Sequence, residues 1–218
     1  MNAETLRSMP WVVARADVAA APLAEKAGSG RSGRSLPPVL DACCGPRFMW
    51  FDPKDGRALF MDRRRETVKG EWGPGSKGRR DLQIDPDVLA DFSAMPFPDE
   101  SFLLVVLDPP HIRRLEMLGK VSATFGVLVP GWEEMLRAGF AECFRVLKPG
   151  GTLIFKWCEV EVPLDRVLAL TPEKPLFGHR SGKKALTHWV AFLKGGGGAE
   201  QAGDEELWQQ SGASSQIA

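Results

Sequence analysis

Phe102-Leu103-Leu104-Val105-Val106-Leu107-Asp108-Pro109-Pro110-His111 sets six apolar residues in a row against an acid, a proline pair and an imidazole. An unbroken apolar run of this length reads as a strand buried on both faces, the habit of a parallel sheet, because a sheet with one wet face alternates apolar and polar residues. Four shorter runs share the character: Pro38–Ala42, Ala58–Asp62, Val88–Asp91 and Thr152–Trp157. Leu186–Leu193 supplies a further strand near the end, with Lys174–Phe177 as its partner. Four of these runs reach an aspartate at or beside their C-terminal end: Asp41, Asp62, Asp91 and Asp108.

One helix is plain. Trp132, Met135, Leu136, Phe140, Cys143, Phe144 and Leu147 recur at the three- and four-residue spacing of a buried helical stripe, and Lys148-Pro149-Gly150-Gly151 then stops it. Strands alternating with helical segments give an α/β layered class with a mainly parallel sheet. The aromatic stripe of the helix reads as core packing.

The 218 residues bound what else the chain can be. With 44% hydrophobic and 26% charged residues, it can form a packed core. Lys+Arg and Asp+Glu both number 28, which excludes a strongly basic coat, although the segment after Lys194 carries four acids and no Lys or Arg, leaving the rest mildly basic. Residues 1–35 read as a flexible leader, 36–194 as the folded domain, and 195–218 as a Gly-rich linker with an acidic disordered tail. No apolar run approaches the roughly 20 residues of a membrane span. Arg15 and Asp17 interrupt any secretory signal, so a cytoplasmic location is expected. The four cysteines include the adjacent Cys43-Cys44, and the three histidines are scattered. Neither a disulfide framework nor a metal site is expected.

The chemistry is expected where strands end. In Asp41-Ala42-Cys43-Cys44-Gly45 small residues follow a strand-end acid, so backbone can approach a ligand at the sheet's C-terminal edge. The dinucleotide fingerprint Gly-x-Gly-x-x-Gly is absent. A carboxylate at Asp62 can accept hydrogen bonds from ribose hydroxyls; alternatively it pairs with Arg63–Arg65. Asp91 and Phe92, followed by Met95-Pro96-Phe97, combine an acid with apolar neighbours that suit an adenine ring. At Asp108-Pro109-Pro110-His111 the prolines lack backbone donors, leaving carbonyl acceptors beside a carboxylate, a set that suits an exocyclic amino group; the flat side chain that follows can stack on its ring.

Taken in this order, residues 37–194 resemble class I S-adenosylmethionine-dependent methyltransferases, and most of all small phage- and prophage-type enzymes. Asp41 with its small-residue turn looks like the methionine-binding motif, Asp62 like the ribose-binding acid, and Asp91 with Met95-Pro96-Phe97 like the adenine pattern. Asp108-Pro109-Pro110-His111 is similar to the (Asp/Asn)-Pro-Pro-(aromatic) motif of enzymes that methylate amino groups of nucleic-acid bases. The resemblance implies a Rossmann-like α/β fold, with a mostly parallel central sheet, an antiparallel C-terminal strand and helices on both faces. It implies S-adenosyl-L-methionine as cofactor, held by Asp41, Ala42, Cys43, Cys44, Gly45, Asp62, Asp91 and Phe92. It implies catalysis by Asp108, Pro109, Pro110 and His111, with DNA or RNA as substrate. The chain departs from the pattern twice: Cys43-Cys44-Gly45 replaces the usual Gly-x-Gly, and His111 stands where an aromatic residue is usual.

Lys156 lies in an apolar strand near the same edge, so it reads either as a catalytic partner of Asp108 or as a snorkelling surface lysine. An Asp on the fourth strand and a Lys on the fifth also resemble RNA ribose 2′-hydroxyl methyltransferases. The same residues are compatible with a small-molecule methyltransferase, or with a nucleic-acid-binding module whose cofactor site has decayed. Trp157 and Arg180 are expected to contact substrate. The basic run Arg63-Arg64-Arg65, Lys69, Lys77, Arg79, Arg80 reads as a phosphate clamp or as solvated surface charge, as does Gly178–Lys184. Because no target-recognition domain is evident, a protein partner for target choice is a further expectation.

Overall fold

The computed structural model describes residues 35–69, 81–113, 125–128, 130–180 and 186–195. Residues 1–34, and those beyond residue 195, lie outside them. The strands are β1 (Val39–Asp41), β2 (Ala58–Asp62), β3 (Glu66–Val68), β4 (Leu82–Ile84), β5 (Val88–Leu89), β6 (Phe102–Leu107), β7 (Leu147–Cys158), β8 (Phe177–Arg180) and β9 (Thr187–Leu193); the helices are α1 (Trp132–Val146) and α2 (Leu164–Leu168).

Seven strands form one sheet in the order β5-β2-β1-β6-β7-β9-β8, and β3 pairs with β4 in a separate hairpin. The pairs from β5 through β7 are parallel; β9 runs antiparallel to β7 and to β8. The expected Rossmann-like sheet with its antiparallel end is therefore the one observed. Starting from β1, the chain builds outward one way through β2 and β5. It then returns past β1 to build the other way through β6 and β7, so the strand order switches direction between β1 and β6. In open α/β sheets such a switch opens a crevice at the carboxyl ends of the strands, where ligands bind.

The core explains why the apolar runs become strands. Leu40, Met61, Phe102, Val105, Leu107, Leu153, Phe155 and Phe192 are essentially inaccessible to solvent. Helix α1 closes one side with Leu136, Phe140, Cys143 and Phe144, and Phe140 packs at 5.0 Å, centroid to centroid, against Phe155. Glu133 and Glu134 sit in its first turn and Arg145 in its last, the charge order that complements the helix dipole.

Several details differ from the expectation, among them the partner of β9, which is Phe177–Arg180 rather than Lys174–Phe177. The chain passes from α1 straight into β7, so Leu147–Gly151 opens that strand rather than forming a separate turn. Gly150 takes φ +75, and a Cβ on Gly151 would stand 2.8 Å from the Lys148 carbonyl, so both glycines answer backbone demands there. The β1–β2 connection, residues 42–57, contains turns and no helix, consistent with Gly45-Pro46 and Pro53 in its sequence. The β3–β4 hairpin was not expected, because its three-residue strands are too short and too polar to show a period. Among the described residues no helix is long and apolar enough to cross a membrane.

Candidate active site

A cleft of about 290 Å³ opens at the carboxyl edge of β1, β2, β6 and β7. The turn after β1 lines it with Ala42, Cys43, Cys44 and Gly45; β2 contributes Asp62; Phe92 follows β5; Asp108 and Pro110 follow β6; and β7 contributes Lys156. Residues from separate parts of the sequence therefore meet at the crevice that the strand order dictates.

The turn after β1 is held by two acids. Asp62, almost fully buried, accepts the Gly45 N–H at 2.9 Å on Oδ2 and the Arg64 N–H at 2.9 Å on Oδ1. Gly45 takes φ +47, and nothing lies within 4 Å of where its Cβ would stand, so the turn leaves open space there. Asp41 is wholly buried and does not line the cleft. Its Oδ1 accepts the Cys43 N–H at 3.3 Å and its Oδ2 the Trp50 Nε1–H at 2.7 Å. Burial pushes its carboxyl up to about 7, and the bonds from Trp50 and Cys43 pull the other way. Asp41 thus shapes the turn from behind. Burial also raises the thiols of Cys43 and Cys44, so both remain protonated small residues in the wall. All four cysteines are free.

Asp91 does not line the cleft; its Oδ1 accepts the Ser93 N–H and hydroxyl, both at 2.8 Å, in a local turn that places Phe92 on the wall. Phe92 owes its position to α1. A Cβ at Gly139 would stand 2.5 Å from the Phe92 ring, so only glycine at that helix position admits it.

At the end of β6, Asp108 Oδ2 meets Lys156 Nζ at 2.5 Å, with the two side chains 9% and 24% exposed. The contact makes Lys156 an ion-pair partner of Asp108. Pro109 and Pro110 are buried, and His111 is half-buried. Burial is the main force on the His111 imidazole and holds it below its ordinary range; Asp108 opposes this and Lys156 reinforces it. His111 is therefore neutral at pH 7. Its ring stands edge-on to Trp157 at 6.1 Å. Trp157 is wholly buried, stacks on Phe155 at 6.0 Å and donates its Nε1–H to the Val162 carbonyl at 2.9 Å. It backs His111 and has no free face for a substrate ring, which corrects the contact expected of it. Arg180 ends β8; its side chain lies outside what is described.

The basic run separates into parts. Arg64 is buried between Asp62 (3.7 Å) and Glu66 (3.0 Å), Arg65 contacts Asp85 at 3.2 Å, and Lys69 contacts Asp81 at 2.7 Å. These three are engaged within the protein. Arg63 lines the cleft, and Lys77, Arg79 and Arg80 lie outside the described residues. Residues 181–185 of the second basic stretch lie outside them as well.

The sequence reading missed Phe48 and Phe125, which line the cleft mouth. The available signal was Phe48-Met49-Trp50-Phe51, four large apolar residues in a connection that forms neither strand nor helix.

Chemically, the cleft combines the carboxylates of Asp62 and Asp108, the cations of Arg63, Arg64 and Lys156, a glycine turn and aromatic walls. It can accept hydrogen bonds from hydroxyl or amino groups and can hold a flat ring. No protein-family model matches the chain, and no curated protein matches it. Several solved structures are similar. A protein from Pyrococcus horikoshii OT3 is 14% identical over 72% of this chain and 81% of its own, with a TM-score of 0.45. A SAM-dependent methyltransferase from Methanosarcina mazei is 13% identical over 72% of this chain and 92% of its own, with a TM-score of 0.42. The [4+2]-cyclase SpnF is 13% identical over 73% of this chain and 74% of its own, with a TM-score of 0.43. At this level of similarity no activity carries over to this chain, and its Rossmann-like fold rests on the strand order and registers described above.

Proposed function

We propose that the protein is an S-adenosylmethionine-dependent methyltransferase acting on an exocyclic amino nitrogen of a nucleic-acid base. One observation carries the reading: the strand order brings the Cys43–Gly45 turn, Asp62, Asp108 and Lys156 to one cleft at the switch between β1 and β6. The residues fit the cofactor. The open space at Gly45 admits its amino-acid end, Asp62 is an acceptor for ribose hydroxyls, and Phe92 offers an apolar wall to adenine. Asp41 and Asp91 take part by shaping the two turns rather than by contact.

When bound, the cofactor supplies an activated methyl group on sulfur, so the protein's task is to position the acceptor. Lys156 occupies Asp108 Oδ2, which leaves Oδ1 to accept an amino hydrogen. That bond keeps the nitrogen lone pair out of the ring's π system and aims it along the cleft. The proton lost from the nitrogen passes to the Asp108 carboxylate and on to water. Neutral His111 turns edge-on to Trp157 and does not line the cleft, so it takes part by packing rather than by contact with the acceptor. In a duplex the base must leave the stack to reach this depth, so single-stranded or flipped substrate is required.

The Lys156–Asp108 contact favours a second reading, methylation of a ribose hydroxyl with Lys156 assisting loss of its proton. One experiment separates the two: incubation with methyl-labelled cofactor and separate pools of DNA, RNA and cell extract, followed by nucleoside digestion and mass spectrometry. Label on a base nitrogen is the expected result. Label on ribose replaces it with the second reading, label on a small molecule alone removes nucleic acid as substrate, and no label in any pool overturns the enzyme assignment.

A further inference from the structure

The β1–β2 connection is pinned from below and exposed above. Trp50 points inward, bonding Asp41 and packing edge-on at 4.9 Å against Phe60. Arg47 is fastened at three points: it donates to the carbonyls of Pro53 and Asp85, each at 2.7 Å, and its guanidinium lies 3.8 Å from the centre of the Phe60 ring. Its backbone is held at φ +61, an unfavourable angle for a residue with a side chain. Between these anchors Phe48 is 60% exposed, yet it lines the cleft with Asp108 and Pro110. Its ring meets Phe125 edge-on at 6.2 Å, and the Phe125 segment is in turn tied to the strand-β6 side by the Leu128 N–H to Ile112 carbonyl bond at 2.7 Å.

A large apolar ring is thus held at the mouth of a polar cleft by strong anchors, with much of its surface in water. Phe48 shares the cleft lining with Phe125 and with the polar Asp108, so its exposed ring belongs to the cleft rather than being an isolated surface side chain. The residue that would ordinarily offer a ring to the acceptor, His111, is turned edge-on into Trp157 and half-buried. Resting on the proposed function, we propose that Phe48, with Phe125 as its edge-on brace, is the residue that positions the acceptor base by stacking on it. The ligand is a single-stranded nucleic acid whose target base enters between Phe48 and the Asp108–Pro110 wall. Stacking on an aromatic side chain tolerates any base because every base has a flat face, so Phe48 supplies grip and depth while the Asp108 end supplies the choice of amino group.

The test uses the full-length protein saturated with S-adenosylhomocysteine and fluorescein-labelled single-stranded 12-mers of DNA and of RNA, read by anisotropy. Calorimetry of S-adenosylhomocysteine and thermal denaturation are run on each variant. Phe48→Ala is expected to weaken 12-mer binding about tenfold or more. Phe48→Leu, apolar but not flat, loses nearly as much, and Phe48→Trp restores wild-type affinity; all three keep the wild-type melting temperature and S-adenosylhomocysteine affinity. Wild-type 12-mer affinity in Phe48→Ala or Phe48→Leu overturns the proposal and leaves the proposed function standing. Loss of S-adenosylhomocysteine affinity with unchanged 12-mer affinity assigns Phe48 to the cofactor and overturns it too. A wild-type protein that binds S-adenosylhomocysteine but neither 12-mer overturns both the proposal and the nucleic-acid reading on which it rests.

Discussion

Asp41 and Asp108 look alike in the sequence, each an acid at the end of a buried strand, and the structure separates their roles. Asp41 is sealed beneath its turn, and burial lifts its carboxyl to about 7 against the pull of the Trp50 and Cys43 donors. An unfolded aspartate titrates near 3.9, so in the interval between, the folded chain holds this proton while the unfolded chain has released it. The group therefore favours folding at low pH, and that support fades as pH rises from about 4 to about 7, by on the order of 4 kcal/mol at most. Asp41→Asn has no such slope. Thermal denaturation between pH 5 and 8 should show the variant gaining on wild type as pH rises; a constant difference would contradict the burial-driven shift. At Asp108 the expectation concerns chemistry. Asp108→Ala should lower turnover by about 10²-fold or more with cofactor affinity nearly unchanged, measured by labelled-methyl transfer and calorimetry, because its proposed partners are Lys156 and the acceptor. Equal activity would remove its proposed role. The sequence placed both acids on the rim, but it could not say which would face the cleft, since that depends on donors such as Trp50, nine residues away.

The elements that carry the site are held by a few specific contacts. Helix α1 gives up propensity at Gly139, about 1 kcal/mol relative to alanine, and thereby admits the Phe92 ring. Arg145 on the same helix ties down the segment after β5, donating to the carbonyls of Phe97 (2.7 Å) and Met95 (3.1 Å), while Glu142 accepts the Met95 N–H at 2.7 Å. Gly139→Ala must displace Phe92, whose open side is the cleft. Denaturant unfolding should show a net loss of up to about 2 kcal/mol, the overpacking cost less the gain in propensity, and calorimetry should show weaker cofactor binding. A stabilised variant with unchanged affinity would contradict this coupling. Strands with continuous apolar runs were legible: Ala58–Asp62 and Phe102–Leu107 appear with the bounds their composition suggested. Helix α1 was equally plain from its stripe. The β3–β4 hairpin and the 42–57 connection were not, because short polar strands carry no period and an irregular loop is fixed by tertiary anchors such as Arg47 on Phe60.

For the whole molecule, the order β5-β2-β1-β6-β7-β9-β8 does the positioning. It makes neighbours of residues separated by more than a hundred positions, so that the turn at Cys43 and the ammonium of Lys156 share one cavity. The sequence conveyed the rim of acids and the sheet class. It did not convey the aromatic mouth, nor that much of the basic run 63–69 is spent on internal pairs such as Arg64 with Glu66. If that cleft is a cofactor site, calorimetric titration of the full-length protein with S-adenosylmethionine must register binding. Saturable one-to-one binding, weakened at least tenfold by Asp62→Ala in a variant that still melts cooperatively, is the expected result. A folded wild-type protein that takes up no S-adenosylmethionine, or an Asp62→Ala variant that binds it as tightly as wild type, would contradict it.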